Sequence, residues 1–432
     1  MLVFLAKLAY RQAGINMINM INILGINIST DTKKEILKKI SSFLDSRESR
    51  FLVTPNPEFL LAAKKDEEFF FILNQADLAV PDGIGLTFAG LLLGKFIKRI
   101  SGIDLMYDIC KLAEQQKKSV FLLGGAENTA QQATEKLKKL YPDLQIVGAE
   151  VGLQAGEWKI EAGQWIKGES KNKNLELRIK NAKPDIIFVA FGQVKQEKWM
   201  YHSLPNLPSV KLAMGVGGSF DFIAGRIKRA PKIIRLIGLE WLWRLLQEPI
   251  KRLPRIFNAV IKFPLAFISW KFIKPWLYRP NVACLLYKKD EQGKIKVLLA
   301  ERRIPVGHWQ LPQGGTDGED LQTAGMRELR EEVSTNKFKP VATFKNLYKY
   351  RFGNDITGRG VKSKEILGYK GQKQGLFIAE FIGQDEDITI NFWDHQNWKW
   401  VEFDKITTEV YFYRKEATEI FIDKFKELIV RK

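Results

Sequence analysis

The sequence predicts an α/β chain of two folded domains: a parallel sheet with helices on both faces, then a mixed sheet held between helices. Two observations predict the first. Short apolar runs alternate with helical stretches from Ile21 to about Val216, and most of these runs end in a turn rich in Gly, Pro or Asp. A third predicts the second domain: a new strand pattern begins near Val282 and encloses an acidic helix.

Ile21 to Ile28 reads as the first strand. Phe51-Leu52-Val53 precedes Thr54-Pro55-Asn56-Pro57, and Leu78-Ala79-Val80 precedes Pro81-Asp82-Gly83. Val120 to Leu123 runs into Gly124-Gly125 and a helix near Thr129 to Leu140. Ile186 to Ala190 precedes Phe191-Gly192, and Leu212 to Val216 precedes Gly217-Gly218. Open parallel sheets bind ligands beyond the carboxyl ends of their strands. Asp82 and both Gly-Gly pairs fall there. A carboxylate at such an end suits a general base that takes a proton from a hydroxyl nucleophile; Asp before Gly also caps turns. The Gly-Gly pairs precede helices whose N-termini suit phosphate, or they are tight turns. Lys195 and Lys198 read as solvated.

The second pattern runs Asn281 to Tyr287, a turn at Gly293, Lys296 to Ala300, the acidic helix, Gly375 to Ala379, Trp398 to Val401 and a last helix from about Arg414 to Val430. Four regions follow: an extension over 1–19, the first domain over 20–225, a basic aromatic segment over 226–279 and the second domain over 280–432. Met1 to Gly14 is apolar, but Lys7 and Arg11 interrupt it and no small-residue cleavage site follows, so it does not read as a signal peptide; Met17 or Met20 is an alternative start. No window holds about 18 uninterrupted apolar residues, so no transmembrane helix is expected. Ile256 to Trp270 comes nearest, broken by Lys262 and Pro264.

The chain has 432 residues, 45% of them hydrophobic, enough for two or three cored domains. Its two cysteines, Cys110 and Cys284, argue against a disulfide scaffold and fit a reducing compartment. His202, His308 and His395 are scattered without zinc-ligand spacing. The formal net charge of +19 suits an anionic partner. Much of it sits in 226–279, where Arg and Lys interleave with Trp, Phe and Tyr and only Glu240 and Glu248 oppose them.

In the acidic helix, Arg327-Glu328-Leu329-Arg330-Glu331-Glu332 places Glu328 three and four residues before Glu331 and Glu332, so the carboxylates share a face. Crowded carboxylates repel unless a cation joins them, and hard oxygen donors favour Mg²⁺ or Mn²⁺. With the preceding Gly314-Gly315-Thr316-Asp317-Gly318-Glu319, the stretch resembles the Nudix hydrolases, whose signature is G-x5-E-x7-R-E-U-x-E-E-x-G-U. Glu319, Arg327, Glu328, Leu329, Glu331 and Glu332 match in order and spacing. The gap from Gly314 to Glu319 is one residue short, and Ser334 replaces the last glycine. The resemblance implies a Nudix α/β/α mixed-sheet domain holding Mg²⁺ or Mn²⁺ through Glu328, Glu331, Glu332 and the Gly314 carbonyl. Glu332 and Asp394 are its catalytic candidates. Trp309-Gln310-Leu311-Pro312-Gln313 is similar to RNA pyrophosphohydrolases and dinucleoside-polyphosphate hydrolases, which implies a nucleoside polyphosphate or an RNA 5′ end as substrate.

Five N-terminal stretches resemble the WecG/TagA/CpsF family, glycosyltransferase family 26. They are Thr54 to Glu58, Pro81 to Gly85, Arg99 to Leu105, Phe191 to Lys198, and Gly215 to Asp221 with Arg229-Ala230-Pro231. The resemblance covers roughly residues 20 to 250. It implies a Rossmann-like parallel sheet and transfer of an N-acetylhexosamine, typically N-acetylmannosamine, from UDP to a polyprenyl-diphosphate-linked N-acetylglucosamine in cell-surface polymer synthesis. Inversion without a metal or other cofactor is implied too. Asp82 is then the base, with Thr54, Asn56 and Gln196 in the same pocket. Gly124, Gly125, Gly217, Gly218, Arg99 and Asp104 are candidates for holding the donor, although Arg99 and Asp104 also read as a structural ion pair.

In this family an appendage like 226–279 closes the site and contacts an anionic membrane surface. A cytoplasmic enzyme peripheral to the inner face of the cell membrane is therefore expected; the oligomeric state stays open. The competing reading is an RNA-processing or nucleotide-binding Nudix protein whose N-terminal domain is a non-catalytic scaffold.

Overall fold

A computed structural model describes residues 19–151, 160–161, 164–165, 169–236, 238–303, 305–353 and 367–430. All but one residue of the predicted extension over 1–19, including the alternative start Met17, lies outside them. The chain splits into two compact units, the first ending at Ile268 and the second continuing from Ser269.

The first unit opens with β1 (Met20–Ile23) and β2 (Ile26–Ser29), an antiparallel hairpin. The single strand predicted over Ile21 to Ile28 is thus two strands. Leu24 and Gly25 both take positive φ, 53° and 87°, and fold the run back on itself. Helix α1 (Lys33–Asp45) starts at a Thr32/Glu35 capping box and buries Ile36, Ile40 and Leu44, one face at four-residue spacing. The main sheet has six strands: β3 (Arg50–Val53), β4 (Leu78–Ala79), β5 (Val120–Gly124), β6 (Ile146–Glu150), β9 (Ile186–Ala190) and β10 (Leu212–Gly215). A separate short pair, β7 (Ile160–Glu161) and β8 (Gln164–Trp165), intervenes in sequence. The sheet order is β4-β3-β10-β9-β5-β6, parallel throughout. β5, β9 and β10 are buried at every residue, which explains their unbroken apolar runs: a parallel sheet is covered on both faces.

The covering helices are α2 (Pro57–Ala63), α3 (Glu67–Gln75), α4 (Ile84–Leu92), α5 (Gly102–Gln115), α6 (Thr129–Leu140), α7 (Glu169–Ala182), α8 (Lys195–Ser203) and α9 (Ser219–Ile223). Lys198, read as solvated, is buried. Packing of α3 against α8 puts its ammonium 2.9 Å from Asp66 and 2.6 Å from Glu68, and Glu68 also lies 2.7 Å from His202. Two carboxylates make that burial tolerable.

The basic aromatic segment is helical. It contains α10 (Lys232–Leu236), α11 (Glu240–Gln247), α12 (Pro249–Phe257) and α13 (Phe263–Ile268), with a π turn over Asn258–Lys262. Arg252–Trp276 forms one helix of 25 residues, long and apolar enough by length and composition to cross a membrane. Lys262 and Pro264 do not prevent this, because mean hydropathy reaches 1.5 over an 18-residue window. Phe263 and Phe267 are buried, while Ile261, Leu265 and Ile268 are exposed.

The second unit contains β11 (Tyr278–Lys289), β12 (Ile295–Arg302), β13 (Trp309–Gln310), β14 (Gln313–Gly315), β15 (Phe338–Arg351), β16 (Gly371–Phe381) and β17 (His395–Glu402). Their order is β13-β12-β11-β16-β15, with β14 on β11 and β17 on β12. Only β11 and β16 pair in parallel, so the sheet is mixed. Period-two alternation splits β11 between two cores. Ala283, Leu285 and Tyr287 pack with α16 (Lys415–Val430), whereas Val282, Cys284 and Leu286 pack with α14 (Leu321–Val333). Between them in sequence lies the short α15 (Ile406–Glu409). α14 ends on Ser334 at φ 51°, a left-handed position that glycine would occupy more readily.

Candidate active sites

In the first unit, the carboxyl ends of four adjacent strands, β4, β3, β10 and β9, open into a cavity of about 830 Å³. Thr54, Asn56, Asp82, Arg99, Gln196, Gly217 and Gly218 all line it. Gly83 and Gly85 let Pro57 pack tightly under Asp82: a Cβ would meet the Pro57 ring at 3.0 Å from Gly83 and 2.8 Å from Gly85. Gly83 also has φ 133°, where a side chain is strained. The Gly102 N–H donates to Asp82 Oδ2 at 3.1 Å, and Arg99 Nε lies 3.5 Å from Asp82 Oδ1.

The other predicted residues divide. Asn56 lines the cavity, yet its Oδ1 caps α2, accepting from Glu58 and Phe59 N–H at 2.9 and 3.1 Å. Gln196 is buried; its amide donates to Glu197 at 2.7 Å and its oxygen accepts from Gly217 N–H at 3.0 Å, tying the start of α8 to the turn after β10. Glu197, overlooked in the sequence, is fully buried, and burial pushes its carboxyl up to about 7 against the bonds from Gln196 and Val194. Gly124 and Gly125 end β5 outside this cavity; a Cβ on Gly124 would collide with Ala190 at 2.7 Å, so a tight turn accounts for them.

Arg99 and Asp104 do not pair with each other. Arg99 Nη2 donates to Glu240 at 3.0 Å, and Arg229 donates to Asp104 with two bonds of 2.7 and 2.8 Å. Burial opposes ionisation of Asp104, but the Arg229 fork overrides it and holds the carboxyl below its usual range. Both contacts fasten the appendage to the sheet domain. The appendage also supplies cavity residues that the sequence reading left unassigned, among them Arg252, Arg255, Phe263 and Phe267. Arg252 pairs with Glu248 at 3.0 Å and Arg255 with Glu58 at 3.2 Å.

In the second unit, α14 gathers the predicted carboxylates around Arg327. Its guanidinium lies 2.9 Å from Glu319, 2.7 Å from Glu328 and 3.0 Å from Glu331, and donates to the Gly315 carbonyl at 2.7 Å. Glu332 is buried and accepts from Gln313 N–H at 2.9 Å. A Cβ on Gly314 would sit 2.0 Å from Glu328 Oε2, so this carboxylate presses on the Gly314 backbone. The donor chemistry fits a hard cation. Among the described residues, however, no three acidic, His or Cys side chains stand together as a ready-made metal cage. Arg327 serves as the present counter-charge.

Asp394 lies 3.8 Å from Arg302, in a loop docked on α14: Asn391 N–H donates to the Glu332 carbonyl at 3.0 Å. His395, unassigned in the sequence, is buried 4.0 Å from Glu332. His308 stacks on Tyr411 with centroids 4.2 Å apart. Burial pushes His308 down to about 3, and the Arg302 and Arg414 charges add to this. The unfolded chain therefore takes up a proton below about 6.5 that the folded one refuses. Stability of this unit is expected to fall as pH drops from about 6.5 toward 3. His308→Phe, which keeps the stacking, should flatten that decline in denaturant titrations across the range; an unchanged slope would assign it to other groups.

Residues 21–276 match the model described as the glycosyl transferase WecG/TagA/CpsF family. The chain belongs to that family. Residues 277–421 match the NUDIX domain model, so this WecG/TagA/CpsF glycosyltransferase carries a C-terminal Nudix hydrolase domain. It is 32% identical over 228 residues to an N-acetylglucosaminyldiphosphoundecaprenol N-acetyl-beta-D-mannosaminyltransferase of Bacillus spizizenii, covering 51% of this chain and 82% of that one. A Staphylococcus aureus protein of the same description is 33% identical over 245 residues, covering 56% and 89%. Among solved structures, the chain is similar to a C. elegans Ap4A hydrolase (23% identity, TM-score 0.27, 36% of this chain and 99% of that one). It is likewise similar to the E. coli dihydroneopterin triphosphate pyrophosphohydrolase (19% identity, TM-score 0.27, 34% and 99%).

Proposed function

We propose that the first unit transfers N-acetylmannosamine from UDP to a polyprenyl-diphosphate-linked N-acetylglucosamine at the inner face of the cell membrane. The second unit, in the same proposal, is a Mg²⁺- or Mn²⁺-dependent hydrolase of a nucleoside polyphosphate or an RNA 5′ end. One observation supports the transferase reading most. A single cavity joins the Asp82 carboxylate, the Arg99, Arg252 and Arg255 cations and an apolar wall that includes Phe88, Leu92, Val260 and Ile268. Those four apolar residues are also exposed, so the wall runs out to the surface. A sugar hydroxyl, a diphosphate and a lipid chain each find a matching wall.

Asp82 takes the proton from the acceptor hydroxyl as its oxygen bonds to the anomeric carbon of the donor. The bond from that carbon to the diphosphate breaks, and UDP leaves with the electron pair. Attack opposite the leaving group inverts the centre. Arg252 and Arg255 offset the growing charge on the diphosphate. In the Nudix domain, Glu328, Glu331, Glu332 and the Gly314 carbonyl would hold the divalent cation. When bound, it supplies polarisation of the attacking water and neutralises phosphate charge.

Ile250, Leu253, Phe257, Ile261 and Leu265 on the appendage are exposed, as are Phe88, Leu91, Leu92 and Phe96 at α4. α13 packs on α4, so the two sets adjoin. Because the same helix buries Phe263 and Phe267, it lies along the protein with its other side free for the interface. Nearby Lys and Arg add roughly 1 kcal/mol each on an anionic surface. Leu253→Glu with Leu265→Glu should release the protein from anionic vesicles and slow transfer to a vesicle-embedded acceptor. Transfer to a short-chain soluble acceptor should persist. Unchanged co-sedimentation would contradict the membrane face.

A further inference from the structure

The appendage is cationic and apolar, yet it buries one acid. Glu240 begins α11, and its carboxylate is about 5% exposed. One oxygen accepts from Arg99 Nη2 at 3.0 Å, and the other lies 3.9 Å from Arg229 Nε. Arg229 in turn grips Asp104, which Arg235 approaches to 3.9 Å. Carboxylates and guanidiniums thus alternate from Asp82 through Arg99, Glu240 and Arg229 to Asp104. Arg99 is shared between two acids, and its contact with Asp82 is the longer, 3.5 Å against 3.0 Å.

We propose that Glu240 is a positioning residue for transfer: by holding Arg99 it keeps that cation from fully neutralising Asp82 and so sets the strength of the base. This rests on the reading of Asp82 as the base. Asp82 and Glu240 compete for one guanidinium. A cation beside a carboxylate lowers its proton affinity by about 1–3 pKa units, depending on how close it comes. With Glu240 present, the nearer bond of Arg99 points away from Asp82. Without that charge, Arg99 has one fewer carboxylate to satisfy and closes on Asp82, which becomes a weaker base. Loss of the Glu240 charge also removes a nearby anion, an effect of the same sign. Asp82 also faces the Gly102 N–H, with the Thr54 hydroxyl beside that contact. Among the described residues, Glu58, Asp221, Arg252 and Arg255 are the other charged residues on the cavity wall. Burial works against the Arg99 charge, yet Asp82 and Glu240 together raise its proton affinity, so it stays a cation. Because Glu240 belongs to the appendage, an undocked α11 leaves Asp82 as weak as the Glu240→Gln variant does.

The test is the pH profile of kcat/KM for transfer from UDP-N-acetylmannosamine to a short-chain lipid-diphosphate acceptor, measured on the full chain. Glu240→Gln should move the acid limb to lower pH by about one unit or more and lower the plateau. Arg99→Gln should move the same limb the opposite way, because Asp82 then loses its cation. Glu240→Asp, which keeps the charge, should hold the limb near that of the parent. A folded Glu240→Gln enzyme with an unmoved limb overturns the proposal, since a purely structural contact alters yield or plateau without moving the limb. If Glu240→Gln does not fold, Arg99→Gln decides: an unmoved or lowered limb overturns the proposal. Asp82→Asn run alongside separates the two readings. Near-normal turnover there removes Asp82 as the base, whereas a dead Asp82→Asn with unmoved limbs removes only the role of Glu240.

Discussion

Asp82→Asn is expected to stop sugar transfer while leaving the fold and the Nudix reaction intact. The amide is nearly the same size, and its oxygen can still accept from the Gly102 N–H that now reaches Asp82 at 3.1 Å. It cannot take up the acceptor proton. General-base catalysis contributes about 10²- to 10⁴-fold, so turnover should fall by at least that range. The substitution also leaves Arg99 with Glu240 as its remaining carboxylate partner in this network, a pairing already made at 3.0 Å, so the cavity should keep its shape. Donor binding measured by calorimetry should change little. A parallel loss of binding and turnover would instead make Asp82 a structural residue.

Glu332→Gln is expected to remove hydrolysis of the nucleoside polyphosphate and leave transfer unchanged. Glu332 is buried and receives the Gln313 N–H, so the amide fits only by turning its oxygen to that donor. The anionic oxygen available to a cation is then gone. Loss of an outer partner of a metal site costs about 10- to 100-fold, and loss of a ligand should exceed this. Chelation should reproduce the effect on hydrolysis and spare transfer. Full activity of Glu332→Gln with Mg²⁺ or Mn²⁺ would remove Glu332 from the site.

Much of both sites was legible in the sequence, for a physical reason. Strand ends in a parallel sheet converge, so an acid gripped as Pro81-Asp82-Gly83 after a strand had few other places to go. The carboxylates of α14 share a face by helical period alone. What escaped were pairings across long sequence distances. Lys198 finds Asp66 and Glu68 only once α3 and α8 pack. Glu240 meets Arg99 over a separation of 141 residues, and in the sequence it registered only as one of two acids in a basic segment. Arg99 beside Asp104 looked like a local ion pair, yet each took its closest partner from the appendage. Glu197 had a signal that went unused: it follows Gln196 directly in the same motif, but nothing local reveals its complete burial. The hairpin at Leu24-Gly25 was hidden because both of its strands carry the same alternation of Ile and Asn and only one glycine marks the turn.

In the proposed reaction, the Asp82 cavity joins a hexosamine from UDP to a lipid-diphosphate sugar. Its most direct test is mass spectrometry of the lipid product formed by the full chain from UDP-N-acetylmannosamine and a short-chain polyprenyl-diphosphate N-acetylglucosamine. The expected product is an acceptor heavier by one N-acetylhexosamine, formed by the parent chain and absent with Asp82→Asn. No heavier lipid from any of a panel of UDP-hexosamines, or the same product from both proteins, would contradict it.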